Sequence, residues 1–303
     1  MATNQPGSDG RGGWGPGPEL EHVRWASRPT LDRPVVLVAF EGWSDAGDAA
    51  SSAVRYIGEQ HGAEPFATID PEVFFDFSST RPRVQFDDDL QREIVWPDTV
   101  ASSCSVDDLD TPLVTIVGNE PQLRWRTFAE QIVGIARHFD ARLVLTFGAL
   151  LAEVPHSRPV SVFGTADDTE LADTLGLLPS RYEGPTGMTG VLQSWCRQSG
   201  LRSAALWAAV PTYVPSAPSP KAALALVERA SQLLDIPVET TELEIAAASY
   251  ERQVSELVSG DAETTEYVEQ LERRFDEDDH SPFAGDEESL VDEVERFLRD
   301  QRD

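Results

Sequence analysis

The chain has 303 residues, of which 40% are hydrophobic and 25% are charged, and its formal net charge at neutral pH is −29. This size suits one large globular domain with an appendage, and the acidic balance argues against binding to nucleic acid or to an anionic membrane. Two cysteines are too few for a disulfide framework, and no apolar leader or apolar run of about 18 residues is present, so we expect a cytoplasmic protein.

Strand and helix patterns alternate along most of the chain. After a glycine-rich flexible tail, residues 1–30, the apolar run 35–40 predicts a buried strand, and a helix follows from Asp45 to about Gly58. Further strands are predicted at 66–69, 72–77, 112–118, 142–148, 160–164 and 204–211, with a surface loop at 78–89. Other helices are predicted near 128–139, 168–178, 190–198 and 220–234, the last with Ser219 as N-cap.

This alternation predicts a mostly parallel sheet covered by helices on both faces, in a core domain spanning residues 31–240. Residues 241–303 are predicted to form an acidic helical extension. From Glu239 to the end the chain has 22 acidic and 6 basic residues. Apolar stripes at 250–258 and 267–275, with a break between them, predict an antiparallel helical pair. A last amphipathic helix is predicted at 290–298.

The turn after the first buried strand is the first candidate site. Ligands of open α/β sheets bind beyond the carboxyl ends of the strands, where this turn would lie. Its carboxylates could carry out acid/base chemistry or hold a divalent metal, but Asp45 and Asp48 could equally cap the helix that begins there. The candidate ligand-binding residues of this turn are Glu41, Gly42, Trp43, Asp45 and Gly47.

A second candidate is the glycine-rich loop that opens the helix near residue 190. Free N–H groups at a helix start and two hydroxyl groups could bind an anion, although the loop could also serve only to pack that helix tightly against the sheet. The glycine spacing does not match the dinucleotide-binding fingerprint. The candidate residues of this loop are Gly184, Thr186, Gly187 and Thr189.

Lys221 is the only lysine of the chain. It lies just inside a predicted helix N-terminus, where a cation is mildly unfavourable. Such a lysine could hold a carboxylate or the chain end of a partner, or it could simply reach water or pair with Glu228 or an acidic residue of a loop. The histidines and cysteines do not have metal-ligand spacing, and no phosphate loop or nucleophile elbow is present, so no metal and no cofactor are predicted.

Taken together, several separate motifs resemble the bacterial, actinobacterial branch of the proteasome assembly chaperone 2 family. The resemblance covers roughly residues 34–277 and is specific only in combination. Its motifs are Phe40-Glu41-Gly42-Trp43-Ser44-Asp45-Ala46-Gly47, Gly118-Asn119-Glu120-Pro121 with Trp125, the run from Gly148 through Glu153 to Pro159, Tyr182-Glu183-Gly184-Pro185-Thr186-Gly187, Trp207 to Val214, and Pro218-Ser219-Pro220-Lys221-Ala222.

The resemblance implies a three-layer α/β/α sandwich similar to nucleoside phosphorylases, a helical C-terminal extension, and self-association, with a trimer favoured. It also implies a role with proteasome-related or other protein partners, which some relatives contact through a C-terminal hydrophobic–Tyr–any tail. This sequence ends without that tail, so docking by that route is not expected.

We therefore expect a non-enzymatic, oligomeric interaction protein with a role in assembling a protein complex. The alternative is an enzyme or small-ligand binder, acting on a carboxylate, an amide bond or a nucleoside-like compound, with a pocket at the carboxyl edge of the sheet. A scaffold whose motifs only pack the oligomer is a third possibility. The alternative pocket would combine Glu41, Asp45, Glu120, Glu153, the 184–189 turn and Lys221.

Overall fold

The computed structural model describes residues 20–87, 90–104, 111–166, 168–179 and 183–277. The strands are β1 (Val23–Trp25), β2 (Val35–Glu41), β3 (Glu64–Ile69), β4 (Arg83–Phe86), β5 (Arg92–Val95), β6 (Thr99–Cys104), β7 (Leu113–Asn119), β8 (Leu143–Ala152), β9 (Val162–Ala166), β10 (Leu178–Pro179) and β11 (Ser203–Pro211). The α-helices are α1 (Ala49–Gln60), α2 (Trp125–His138), α3 (Thr169–Leu175), α4 (Met188–Gln198), α5 (Pro220–Leu234), α6 (Thr241–Ser259) and α7 (Ala262–Glu277).

Nine of these strands form one sheet, in the order β1-β3-β6-β7-β2-β8-β11-β9-β10. Its centre, β7-β2-β8-β11, is parallel. All four of these strands therefore end at the same edge of the sheet, which we call the carboxyl rim. The remaining two strands, β4 and β5, form a separate antiparallel hairpin.

Helices cover both faces of the sheet, which confirms the three-layer α/β/α fold. The central strand β2 shows why the sequence specifies this arrangement. Its residues Val35, Leu37 and Ala39 face the layer of α1, α3 and α5. The alternate residues Val36, Val38 and Phe40 face the layer of α2 and α4. A strand buried on both faces reads as a continuous apolar run.

Outside the four central strands the prediction of a mostly parallel sheet is wrong, although the short edge pair β9–β10 is parallel. The pairs β1–β3, β3–β6, β6–β7 and β11–β9 are antiparallel. A parallel neighbour needs a long crossover connection. The segment from β3 to β7 contains the hairpin instead of a crossover α-helix, and β3, β6 and β7 run in alternating directions.

Three local predictions also differ from the structure. Residues 72–77 are not a strand: Asp70 accepts a hydrogen bond from the Glu72 backbone N–H at 3.2 Å and Pro71 begins a short 3-10 helix. The predicted loop 78–89 contains β4. Val23–Trp25, within the predicted N-terminal tail, is an edge strand paired with β3. The predicted division into a core domain at 31–240 and an extension at 241–303 remains a prediction.

The two helices of the predicted pair are present as α6 and α7, joined by a turn at Gly260 and Asp261, and they follow α5 directly. We refer to α6 and α7 together as the helical pair. The amphipathic helix predicted at 290–298 lies outside the described residues. Across the described part of the chain, no helix has the length and apolar character required to span a membrane.

Candidate functional site

The motif segments meet at the carboxyl rim through backbone contacts. The Ala149 N–H, on β8, donates to the Ser44 carbonyl at 2.8 Å, and the Ser219 N–H donates to the Gly47 carbonyl at 2.7 Å. On the other side of β2, the Glu120 N–H donates to the Glu41 carbonyl at 2.8 Å. Parallel strands that end together therefore bring four distant motifs into contact.

Glu41 is held by two neighbours at this rim. Its carboxylate accepts a hydrogen bond from the Asn119 side chain at 2.8 Å and forms an ion pair with Arg55 of α1. Both Glu41 and Arg55 are partly exposed, so the pair also borders solvent. Arg55 was not among the predicted site residues, although it lies one helical turn and a half into the helix that the first motif opens.

Asp45 acts as a cap for α1. It is 5% exposed, and its Oδ1 accepts hydrogen bonds from the Ala50 N–H at 2.7 Å and the Ser51 N–H at 3.1 Å. Burial raises the pKa of this carboxyl group against the opposing effect of those bonds. Of the two interpretations that the sequence left open, these contacts favour the capping role.

Glu120 occupies the N-terminus of α4. Its Oε1 accepts a hydrogen bond from the Met188 N–H at 2.7 Å, and burial raises the pKa of its carboxyl group. A Cβ added to Gly187 would lie 2.5 Å from Ser44 Oγ and 2.9 Å from Glu120 Oε1. The carboxyl group of Glu120 therefore occupies the helix N-terminus at which the sequence predicted binding of an external anion.

The remaining residues of the predicted anion loop do not converge on one point. Gly184 and Thr186 are exposed, whereas Thr189 is buried and its hydroxyl has no hydrogen-bond partner among the described residues. Trp43 is 45% exposed beside this loop. The helix start is therefore better described as a packing contact between Gly187 and the first motif, the alternative that the sequence had left open.

A second cluster, away from Glu41 and Glu120, joins the core to the helical pair. Lys221 Nζ donates to the His156 carbonyl at 2.6 Å and pairs with the Glu251 carboxylate of α6. Glu153 pairs with Arg274 of α7 at 3.3 Å. Lys221 therefore pairs with Glu251, not with Glu228, and the predicted pocket residues divide into two groups.

The His156 ring lies at the centre of this second cluster. Its Nδ1 is 2.9 Å from Tyr213 Oη, and its Nε2 is 2.9 Å from Ser255 Oγ of α6. Burial, and then the charge of Lys221, lower the pKa of His156. The ring is therefore kept neutral between a core tyrosine and an extension serine.

Arg158 completes the attachment of α7. Its guanidinium donates two hydrogen bonds of 2.7 Å to the two carboxylate oxygens of Asp276. Beside it, apolar side chains of the helical pair pack against Tyr213 and Val214. We call this set of contacts the latch; its polar members are Glu153, His156, Arg158, Tyr213, Lys221, Glu251, Ser255, Arg274 and Asp276.

A cleft of about 610 Å³ lies between α1, one face of β6 and β7, and the segment that carries the hairpin. Glu41 is the one predicted site residue that lines it. Sequence analysis did not predict this cleft. Glu41, Gly118 and Asn119 come from two of the motifs, but most of its walls come from α1, β6 and the segment around the hairpin, which carry no motif. Its other polar and aromatic lining residues include Arg55, Arg81, Arg83, Asp98, Asn119 and Trp96.

The hairpin beside the cleft exposes large apolar side chains. Val84, Phe86 and Ile94 are 50%, 66% and 54% exposed. Trp96, which follows β5, is also exposed and contacts the Phe77 ring with a centroid distance of 4.9 Å. A concentration of exposed apolar residues of this kind marks an interaction surface.

Within the described residues, no group of three or more histidine, cysteine, aspartate or glutamate side chains is arranged to hold a metal ion. The carboxylates brought together at the rim instead bind backbone N–H groups, an amide and an arginine. This arrangement can orient and fix helices. Away from the rim, His156 Nε2 lies 2.9 Å from Ser255 Oγ, but that hydroxyl donates its hydrogen to the Glu251 backbone carbonyl at 2.8 Å.

Comparisons with known proteins give consistent matches. A model of the PAC2 family matches residues 39–258. A proteasome-assembly chaperone homologue from Mycobacterium tuberculosis is 41% identical, with a TM-score of 0.70, over 77% of this chain and 99% of that one. A PAC2 family protein from Streptomyces avermitilis is 41% identical, with a TM-score of 0.71, over 78% of this chain and 99% of that one.

A protein of unknown function from Mycobacterium tuberculosis matches over 100% of both chains, with 25% identity and a TM-score of 0.79. A search of curated proteins gives no match.

Proposed function

Because the chain belongs to the PAC2 family, we propose that it is a non-enzymatic, oligomeric interaction protein that assists the assembly of a protein complex. The observation that carries this proposal is its 41% identity, over 77% of its length, to a proteasome-assembly chaperone homologue. The partner that this relative suggests is a proteasome component.

The contacts of the motif residues support an interaction role over a catalytic one. Glu120 caps α4, Asp45 caps α1, and Lys221 holds α6. Each of these groups makes an intramolecular contact that orients a helix, which supports a structural role for the motif residues. Function then depends on the surfaces that the fold presents.

The exposed apolar hairpin is one such surface, and the outward faces of the helical pair are another. The first offers hydrophobic contact area, and the second offers negative charge that steers a basic partner. We further propose that the protein self-associates, with a trimer favoured, and that it acts in the cytoplasm.

The test is an assembly assay with purified proteasome subunits of the source organism. Unassembled α- and β-subunits are mixed with and without this protein, and core-particle formation is followed on native gels. We expect a complex with free subunits or faster formation of the core particle. If neither the rate nor the set of intermediates changes, the proposed function is wrong.

A matched pair of variants sharpens this assay. Phe86→Ser alters the exposed hairpin, and Leu257→Ser alters an exposed side chain of α6. Both positions are exposed, so neither variant should lose stability, and a difference between them would show which of the two surfaces contributes to assembly.

A further inference from the structure

Among the strands that the structure describes, none pairs with the hairpin β4–β5. It is a separate two-stranded sheet, and every residue of its two strands is exposed. A two-stranded hairpin is at best marginally stable in water unless a third strand or another element covers one of its faces. The hairpin therefore needs a covering partner that the described contacts of one chain do not supply.

The strand register defines which face needs that partner. Cross-strand partners lie on the same face of a hairpin. Val84 pairs with Ile94 and Phe86 pairs with Arg92, so these four residues form one face. The opposite face contains Arg83 and Val95, which line the cleft. The face of Val84, Phe86, Arg92 and Ile94, here called the outer face, consequently points away from the body of the chain.

The charge distribution indicates which partner fits this face. The protein carries a net charge of −29, so two copies repel each other over most of their surfaces. The eight residues of β4 and β5 differ from the rest, because they contain two arginines and one glutamate. On the outer face the one charged side chain within the strands is Arg92. An acidic surface of a second copy can therefore approach the outer face without meeting a carboxylate of these strands.

We propose that the outer face of the hairpin is the surface on which a second copy of this chain docks. The inference rests on the self-association included in the proposed function and assigns it to particular residues. Val84, Phe86 and Ile94 supply the apolar contact area, and Arg92 pairs with an acidic side chain of the second copy. Apolar residues at the centre of an interface carry most of its binding energy.

The test is sedimentation velocity on the full-length protein over a range of concentrations. The variant Phe86→Ser/Ile94→Ser removes the two most exposed apolar side chains of the outer face. The matched control, Ile245→Ser/Leu257→Ser, removes two exposed apolar side chains of α6, which are 66% and 72% exposed. Circular dichroism and thermal unfolding check that both variants remain folded.

We expect the wild type and the α6 control to sediment as the same oligomer. We expect the hairpin variant to have a dissociation constant raised by about 100-fold or more, because each residue of an interface centre commonly contributes about tenfold or more. A monomeric wild type, or equal dissociation constants for the wild type and the hairpin variant, would overturn the proposal.

Hydrogen exchange distinguishes a second copy from a segment of the same chain. Amides of residues 83–95 should gain protection as the protein concentration rises. Protection that is independent of concentration would mean that residues 278–303, or another part of the same chain, cover the hairpin, and the proposal would then be wrong.

The same hairpin variant separates this inference from the proposed function. If it is monomeric and still accelerates assembly of the proteasome core, the docking surface is correct and oligomerisation is dispensable. If the wild type oligomerises through the hairpin but has no effect on assembly, the docking surface stands and the assembly role fails.

Discussion

At the scale of single residues, Glu120 combines two opposing effects. Its carboxylate accepts a hydrogen bond from the Met188 N–H at a helix N-terminus, where negative charge is favourable. Burial nevertheless raises its pKa, so removal from water penalises the charged form more than that bond stabilises it. The hydrogen-bond acceptor is therefore expected to matter more than the charge.

We predict that Glu120→Ala lowers the free energy of unfolding by about 1–2 kcal/mol, because it leaves the Met188 N–H without an acceptor. Glu120→Gln keeps an acceptor and should change stability by less than about 0.5 kcal/mol at neutral pH. Urea denaturation measures both values. An equal loss in the two variants would contradict this explanation, since it would assign the effect to the charge.

Gly47 makes a conformational and a steric contribution that can be separated. It has φ +60°, and a Cβ added there would lie 2.9 Å from Ser219 Cβ and 3.1 Å from the Ser219 backbone nitrogen. Gly62 has almost the same φ, +63°, but nothing lies within 4 Å of its added Cβ. The two positions therefore share the left-handed backbone and differ in the contact.

We predict that Gly62→Ala destabilises the protein by about 1 kcal/mol, which is the cost of left-handed backbone for a residue with a Cβ. Gly47→Ala should cost about 1–3 kcal/mol more, because the first motif must move away from the loop before α5. Chemical denaturation of the two variants measures the difference. Equal losses would show that the contact with Ser219 adjusts without cost.

At the scale of elements, the helical pair is attached by packing of α6 along α5 and by a set of polar contacts. Arg158 and Lys221 reach from the core to α7 and α6, and a small apolar cluster with Tyr213 and Val214 lies beside them. A segment attached through partly exposed ion pairs has a lower local stability than the sheet. The helical pair should therefore open without unfolding the core.

Arg158→Ala is predicted to increase hydrogen exchange of the α7 amides by about tenfold, because it removes the bidentate contact with Asp276. Amides of the central strands should be unaffected. Arg273→Ala is the matched control, since Arg273 is exposed and its ion pair is with Glu269 of the same helix. Similar exchange in both variants would mean that packing, not Arg158, holds α7.

The latch should also respond to pH. The pKa of His156 is lowered in the docked state, so an undocked His156 binds a proton at a higher pH than a docked one. Docking is therefore complete above the ordinary histidine pKa of about 6.5 and weakens as the pH falls through that value. The charged groups that face the ring are Lys221, Glu251 and Glu272.

We predict that α6 and α7 exchange faster at pH 5.5 than at pH 7.5, after correction for intrinsic rates, and that His156→Gln removes most of this dependence. His138 is the necessary comparison, because burial also lowers its pKa but it lies at the end of α2, within the core. If His138→Gln removed the dependence and His156→Gln did not, the latch would not be the pH-sensitive part.

The strands and helices were predictable where the sequence has a clear apolar pattern, and less predictable elsewhere. The runs of β2, β7, β8 and β11 are apolar because both faces are buried, and each was predicted. Strand β6 was missed, because Thr-Val-Ala-Ser-Ser-Cys has little apolar alternation and forms a strand through pairing with β3 and β7. Pairing over long sequence separations is not encoded in a local pattern.

The candidate site was predictable to a similar extent. The fold class predicts that motifs which follow parallel strands meet at one rim. It does not predict that Glu120 fills the N-terminus of α4, because Glu120 and Met188 are 68 residues apart. The division of Glu153 and Lys221 from Glu41 depends on where the helical pair packs, which no local pattern specifies.

At the scale of the whole molecule, the net charge of −29 opposes both folding and self-association. Screening reduces that repulsion, and the Debye length falls from about 10 Å at 0.1 M salt to about 3 Å at 1 M. An association made through apolar side chains should therefore tighten as salt is added.

We predict that the melting temperature rises and the dissociation constant of self-association falls between 0.05 and 0.5 M sodium chloride. Differential scanning fluorimetry and sedimentation velocity measure the two effects. Binding to a basic partner should change in the opposite direction, because salt screens that attraction. Self-association that weakens with salt would indicate an interface made of ion pairs, unlike the apolar outer face.

The latch also controls the chemical reactivity of Lys221. It is the only lysine, its side chain is 17% exposed, and its amine is bound by the His156 carbonyl and Glu251. An acylating reagent attacks an amine only when it is free and uncharged, so the closed protein protects its single side-chain amine. The rate at which that amine is acylated then measures how often the helical pair detaches from the core.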